Sequence, residues 1–135
     1  MVKYFYLDSS VALRILLGDS PKAAAWLDDT TTHSDHFQVV SSRLLRTEVI
    51  RTLRRVGVEP IKNDLITRHI GLIPLTSAIL VQAEASVPHI KTLDAIHLAT
   101  ALNCGLDGLT VCTHDRNMTE VATILGLNTF DPVSD

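Results

Sequence analysis

Short runs of β-branched and aromatic residues alternate along this chain with longer helical patterns, and that alternation limits the folds open to it. Residues 2–7 (VKYFYL) read as a buried strand. They run directly into Asp8, Ser9 and Ser10, three residue types that cap helix N-termini. A helix over 11–17 stops at Gly18, and Pro21 opens another (PKAAAWLDD) in the first-turn position that proline tolerates. Residues 36–40 (HFQVV) form a second strand, after which Ser41 and Ser42 cap a long helix over 43–56 that ends at Gly57. The spacing then predicts a helix over 60–70 up to Gly71 and a short strand over 72–75, put at a sheet edge by Pro74. A helix follows from Thr76 and Ser77 to Val87, where Pro88 breaks it. A helix from Thr92 to Gly105, a strand over 109–112, a helix over 115–125 stopped by Gly126 and a last strand over 127–130 complete the pattern. Strands separated by helices need crossover connections, so they pair mostly in parallel and the helices cover both faces. The expected class is α/β, a mostly parallel central sheet flanked by helices.

With 135 residues the chain holds one such domain with a real core, spanning 1–135, and is too short for two. A hydrophobic share of 46% argues against disorder. No apolar run approaches the roughly 20 residues of a membrane span. The opening stretch turns acidic at Asp8, too soon for a signal peptide, so a cytoplasmic protein is expected. Cys104 and Cys112, each in an apolar stretch, then read as reduced thiols. The net charge of −3 does not advertise a nucleic-acid binder, so the distribution of charge has to decide.

Ligands of open parallel sheets bind beyond the carboxyl ends of the strands, and three acids fall at or near strand-to-helix junctions: Asp8, Asp94 and Asp115. Each alone is explained by helix capping, which stabilises by about 1 kcal/mol. Glu48 lies mid-helix in SSRLLRTEVIRTLRR, at the margin of the apolar stripe beside Leu44, and caps nothing. Its local explanation is a surface pair with Arg51 worth a few tenths of a kcal/mol. Gathered together, the four carboxylates have a different meaning. Like charges about 4 Å apart repel by ~4 kcal/mol per pair at an effective dielectric near 20, so such a cluster needs a cation. Oxygen-only ligands suit Mg²⁺ or Mn²⁺. The stretch from His33 to His36 lacks the spacing of a zinc site.

Four motifs, YLDSSVALRIL, RTEV, LDAIHLATA and TVCTHDRNM, resemble in order and spacing the PIN domain over residues 4–132. Within that family the likeness is to the VapC-type toxins of toxin–antitoxin pairs. The resemblance implies a three-layer sandwich and a Mg²⁺- or Mn²⁺-dependent endoribonuclease leaving 5′-phosphate and 3′-hydroxyl ends. Asp8, Glu48, Asp94 and Asp115 match the family's four catalytic, metal-binding acids in turn. Ser9 and Thr113 match small hydroxyl positions that support the carboxylates. Some members carry a further acid where Asn117 stands, and an amide there adds no charge for a second metal.

Phosphate contacts fall to basic side chains, and the helix that holds Glu48 carries Arg43, Arg46, Arg51, Arg54 and Arg55, with Lys91 ahead of Asp94. The same helix face serves equally as a solvated surface or a partner interface. His97 reads as a satisfied, semi-buried residue more readily than as a participant. The resemblance also implies an antitoxin protein that fills the groove, and a homodimer for which residues 23–27 and 61–70 offer apolar surfaces. Transfer and ribosomal RNA both fit as targets. A catalytically inactive PIN-like RNA- or protein-binding module and a housekeeping RNA-processing nuclease share these motifs. A phosphoaspartyl hydrolase does not, because Ser10 stands where its second acid belongs, and the early acid pair and late-strand lysine of a receiver domain are missing too.

Overall fold

The computed structural model describes residues 2–32 and 35–134. Strand β1 (Lys3–Leu7) leads into helices α1 (Ser9–Leu16) and α2 (Pro21–Thr32), then β2 (Phe37–Ser42) and α3 (Arg43–Arg55). A 3₁₀ turn (Pro60–Asn63) and the short α4 (Asp64–Thr67) precede β3 (Gly71–Ile73), α5 (Ser77–Glu84) and α6 (Thr92–Asn103). Strand β4 (Thr110–Cys112), helix α7 (Arg116–Ile124) and strand β5 (Asn128–Phe130) close the fold. The strands form one sheet in the order β3-β2-β1-β4-β5, every pair parallel.

Side-chain alternation on the central strand sorts the layers. Leu7 packs with Val11, Ala12, Leu45, Val49 and Leu53, which puts α1 and α3 on one face. Its neighbour Tyr6 packs with Val40, Val111 and Ala101, so α6 lies on the other. Helix α5 in turn packs Ile79 against Ile96 and Ala99 of α6. Gly57 and Gly126 follow α3 and α7 at φ of +78° and +84°, the left-handed conformation in which glycine ends a helix at no steric cost.

Three local expectations change. Residues 60–70 do not make one helix, because Asn63 and Asp64 interrupt it. Such side chains bond locally and disfavour helix interiors, and the buried Asn63 reaches Thr67 Oγ1 at 3.3 Å. Ser41 is not a cap: it ends inside β2 and its hydroxyl donates to the Leu7 carbonyl at 2.6 Å, leaving Ser42 to cap α3 through the Leu44 amide. Residues 23–27 offer less apolar surface than expected, since Ala23 and Leu27 are spent in the chain's own core while Ala25 stays exposed. Ile61 and Leu65 do stay exposed, at 72% and 54%. Among the described residues no helix is long and apolar enough to cross a membrane.

Leu45 is wholly buried beneath β1 and β2, so Leu45→Ala is expected to lower the unfolding free energy by ~2–5 kcal/mol. Ile61→Ala, at an exposed position, is expected to stay within about 0.5 kcal/mol of the parent. Urea titration of both variants checks the contrast.

Candidate active site

From β1 the chain builds outward to β2 and β3 on one side and later to β4 and β5 on the other. The crevice at the carboxyl ends of β1 and β4 is therefore the topological switch point, where parallel sheets bind ligands. Leu7 pairs with Cys112, so the next residues on the two strands, Asp8 and Thr113, stand side by side.

Asp8 occupies the N-cap position of α1, yet its side chain makes no capping bond. Its Oδ2 accepts instead from Ser10 Oγ at 2.6 Å and from Thr113 Oγ1 at 2.8 Å. Its Oδ1 is buried with no hydrogen-bond partner among the described residues. A buried polar atom left unmatched costs ~1–3 kcal/mol, more when charged, so this oxygen asks for a donor or a cation. Helix capping does not explain Asp8.

Glu48 is bonded to Ser9 and His97 rather than to Arg51. Ser9 Oγ donates to its Oε2 at 3.4 Å, and His97 Nε2 lies 2.5 Å from its Oε1. The other His97 nitrogen, Nδ1, is 2.7 Å from the Tyr6 hydroxyl. Asp115 does cap a helix, accepting from the Met118 amide of α7 at 3.0 Å, while its own amide donates to Thr113 Oγ1 at 3.1 Å. Asp94, half-buried in the first turn of α6, has its carboxyl pushed up to about 6. Burial is the largest cause, followed by the negative charges of Asp8 and Asp115 and, more weakly, Glu48, with His97 pulling the other way. The four acids thus share one electrostatic neighbourhood. They do not close on a common point: among the described residues no group of three or more His, Cys, Asp or Glu stands ready to hold a metal ion.

A cleft of about 430 Å³ opens from Asp94 and Asp115 along α7, lined also by Lys91, Asn117 and Glu120. Of the basic side chains singled out above, Lys91 alone lines it. Arg43 donates to Thr47, Arg46 faces Asp64 at 3.9 Å, and Arg51, Arg54 and Arg55 are exposed along α3. His33 lies outside the described residues.

Sequence reasoning passed over three participants. Ser10, read as a cap, bonds Asp8, approaches Thr113 Oγ1 at 3.2 Å and accepts from the His114 amide at 3.0 Å. Tyr6 reads as plain core. Glu120, one turn past Asn117, lines the cleft with no sequence reading to mark it. A hydroxyl two residues after Asp8 was the only local signal for any of them.

The field around Asp94 has a thermodynamic consequence. An acid whose folded pKa lies above its unfolded value of 3.8 takes up a proton on folding, so stability rises as pH falls through about 6. His97 is buried, which lowers its pKa, but its bond to Glu48 and the nearby carboxylates outweigh that and raise it. Its contribution has the same sign, full below 6.5 and lost as pH rises past its folded value. With divalent ions chelated, the melting temperature is expected to be higher near about pH 5.5 than near about pH 7.5, and Asp94→Asn should shrink that difference. Circular dichroism melts at both pH values read it, and an unchanged difference in Asp94→Asn would exclude the assignment to Asp94.

Comparison with known proteins agrees with this fold. Residues 5–124 match the PIN domain family. Ribonuclease VapC46 of Mycobacterium tuberculosis is 34% identical over 94% of this chain and 96% of its own length. The fold matches a toxin–antitoxin complex from Klebsiella pneumoniae with a TM-score of 0.66 at 19% identity, covering 94% of this chain and 96% of that one. It also matches the VapBC2 structure from Rickettsia felis, solved bound to a promoter DNA fragment, with a TM-score of 0.71 at 10% identity over 95% and 98% of the two chains. An all-parallel sheet and a family match over most of the sequence agree: this chain belongs to the PIN domain family.

Proposed function

We propose that this chain is a Mg²⁺- or Mn²⁺-dependent endoribonuclease and the toxin of a toxin–antitoxin pair. The observation that carries the reading is the bare, buried Oδ1 of Asp8 in the shared field of Glu48, Asp94 and Asp115. An unmatched carboxylate oxygen among other carboxylates suits a hard divalent cation, and an all-oxygen donor set suits Mg²⁺ or Mn²⁺. The ribonuclease activity of a relative 34% identical over nearly the whole chain supports the substrate class.

When bound, such a cation supplies the water activation and charge neutralisation that phosphodiester hydrolysis needs. The protein's own part is to hold the oxygens in place. Ser10 and Thr113 fix the Asp8 carboxylate through Oδ2 and leave Oδ1 without a partner among the described residues. Ser9 and His97 fix Glu48. Asp115 is oriented by the first turn of α7, with one oxygen engaged there. A bound cation would hold Asp94 ionised, since an added positive charge opposes the burial and repulsion that raise its carboxyl. Lys91, which lines the cleft, would contact a backbone phosphate of the RNA, with the α3 arginines available to a longer substrate or to a protein partner. Asn117 lines the same cleft without adding charge, which favours one tightly held metal over two. An antitoxin protein is the proposed partner, because the Klebsiella structure with this fold is a toxin–antitoxin complex, and self-association through the exposed Ile61 and Leu65 is proposed beside it.

Asp8→Asn keeps shape and removes charge. It is expected to fold and to lose metal-dependent RNA cleavage by at least about 100-fold, beyond the usual cost of altering a residue behind the ligands. The check is a cleavage assay on total RNA with Mg²⁺ or Mn²⁺ against chelator. Parent-level cleavage by the variant, or cleavage indifferent to chelator, rules the reading out. Expressing the parent and the Asp8 variant in cells and mapping RNA 5′ ends then identifies the target and tests toxicity.

A further inference from the structure

We propose that His97 is a positioning residue for Glu48: anchored by the Tyr6 hydroxyl, it clamps one carboxylate oxygen while Ser9 holds the other, and this clamp sets where Glu48 meets the divalent cation. The proposal rests on the metal-dependent nuclease reading given above.

His97 lies on α6, three residues beyond Asp94, and is 1% exposed. Both of its ring nitrogens are engaged, Nε2 with Glu48 Oε1 at 2.5 Å and Nδ1 with the Tyr6 oxygen at 2.7 Å. The Tyr6 and His97 rings also meet edge-on, with centroids 5.7 Å apart. A carboxylate only accepts, so Nε2 carries the hydrogen of the Glu48 bond in either protonation state of the ring. Turning the ring would strand two buried groups at ~1–3 kcal/mol each. Tyr6 cannot follow, because it is itself 1% exposed in the core on that face of the sheet.

Glu48 needs such a clamp. It sits at the edge of an apolar helix face, with Arg51 one turn on, and a free glutamate there is drawn outward to water or to the arginine. Holding the long side chain still costs up to ~2 kcal/mol of rotamer freedom. Bonds to both oxygens offset that cost before any ligand arrives, and they place the carboxylate on the site's side of α3. Partners behind metal ligands commonly change metal affinity or activity by about 10–100-fold when removed.

The test uses the whole chain with His97→Leu, His97→Gln, Tyr6→Phe and Glu48→Gln. Mn²⁺ binding is read by titration calorimetry, and the His97 Nε2 proton by NMR in metal-free protein. Expected are a slowly exchanging Nε2 proton in the parent that exchanges faster in Glu48→Gln, whose neutral amide oxygen is a weaker acceptor, and Mn²⁺ affinity about 10–100-fold weaker in His97→Leu. His97→Gln, which keeps a donor near the same place, should recover most of the affinity, and Tyr6→Phe should lose part of it. In the Glu48→Gln background none of the other changes should shift affinity further, as expected of residues acting through one group. A core residue without this role would change melting temperature and leave the Mn²⁺ titration alone. If His97→Leu does not fold, Tyr6→Phe and the Nε2 proton decide, and a fast-exchanging proton with unchanged affinity in Tyr6→Phe overturns the clamp. Parent protein that binds Mn²⁺ and cuts RNA, together with a folded His97→Leu that binds equally well, overturns the clamp alone. Parent protein that does neither overturns the nuclease reading and the clamp together.

Discussion

Like-charge repulsion among four carboxyl groups is the constraint around which this end of the molecule is built. Closing to about 4 Å would cost each pair ~4 kcal/mol at an effective dielectric of about 20, an appreciable part of the ~5–15 kcal/mol by which a domain is stable. The structure answers in three ways. It keeps the acids from converging on one point without a cation. It surrounds them with neutral donors, Ser9, Ser10 and Thr113. It leaves Asp94 with a carboxyl pushed up to about 6, so that one charge is easily surrendered.

The sheet makes this tolerable by fixing backbone where the charges sit. The Asp8 amide donates to the Cys112 carbonyl and the Thr113 amide to the Phe130 carbonyl, so the site's floor is the last rung of three adjacent strands. Ser41 extends the same floor by bonding the Leu7 carbonyl from β2. With Leu7, Val11 and Leu45 packed to zero exposure just beneath, Asp8 cannot retreat from its neighbours. Rigid support of this kind holds the side chains of a site in one geometry without an ordering cost at each binding event.

Local patterns carried the architecture well because they report on backbone hydrogen bonding and on one buried face. The run VKYFYL became β1, and glycines ended helices where the left-handed conformation was needed. The reading was weakest where polar side chains could satisfy the backbone in more than one way. Asn63 and Asp64 broke a helix that periodicity alone had continued, and Ser41 turned its hydroxyl to a neighbouring strand instead of a helix end. The same ambiguity attended the acids. Capping explained Asp8 and Asp115 equally well on paper, and only Asp115 proved to be a cap.

By itself the sequence determined the α/β alternation and the family, since each is written in residue type and spacing, and it singled out four acids as candidates. Tertiary structure alone decided which oxygens stay bare and which side chains hold the others. The Tyr6–His97 and His97–Glu48 bonds join residues 91 and 49 positions apart. No local pattern encodes such contacts, because they exist only once the strands have been ordered across the sheet and α6 has been laid against its face.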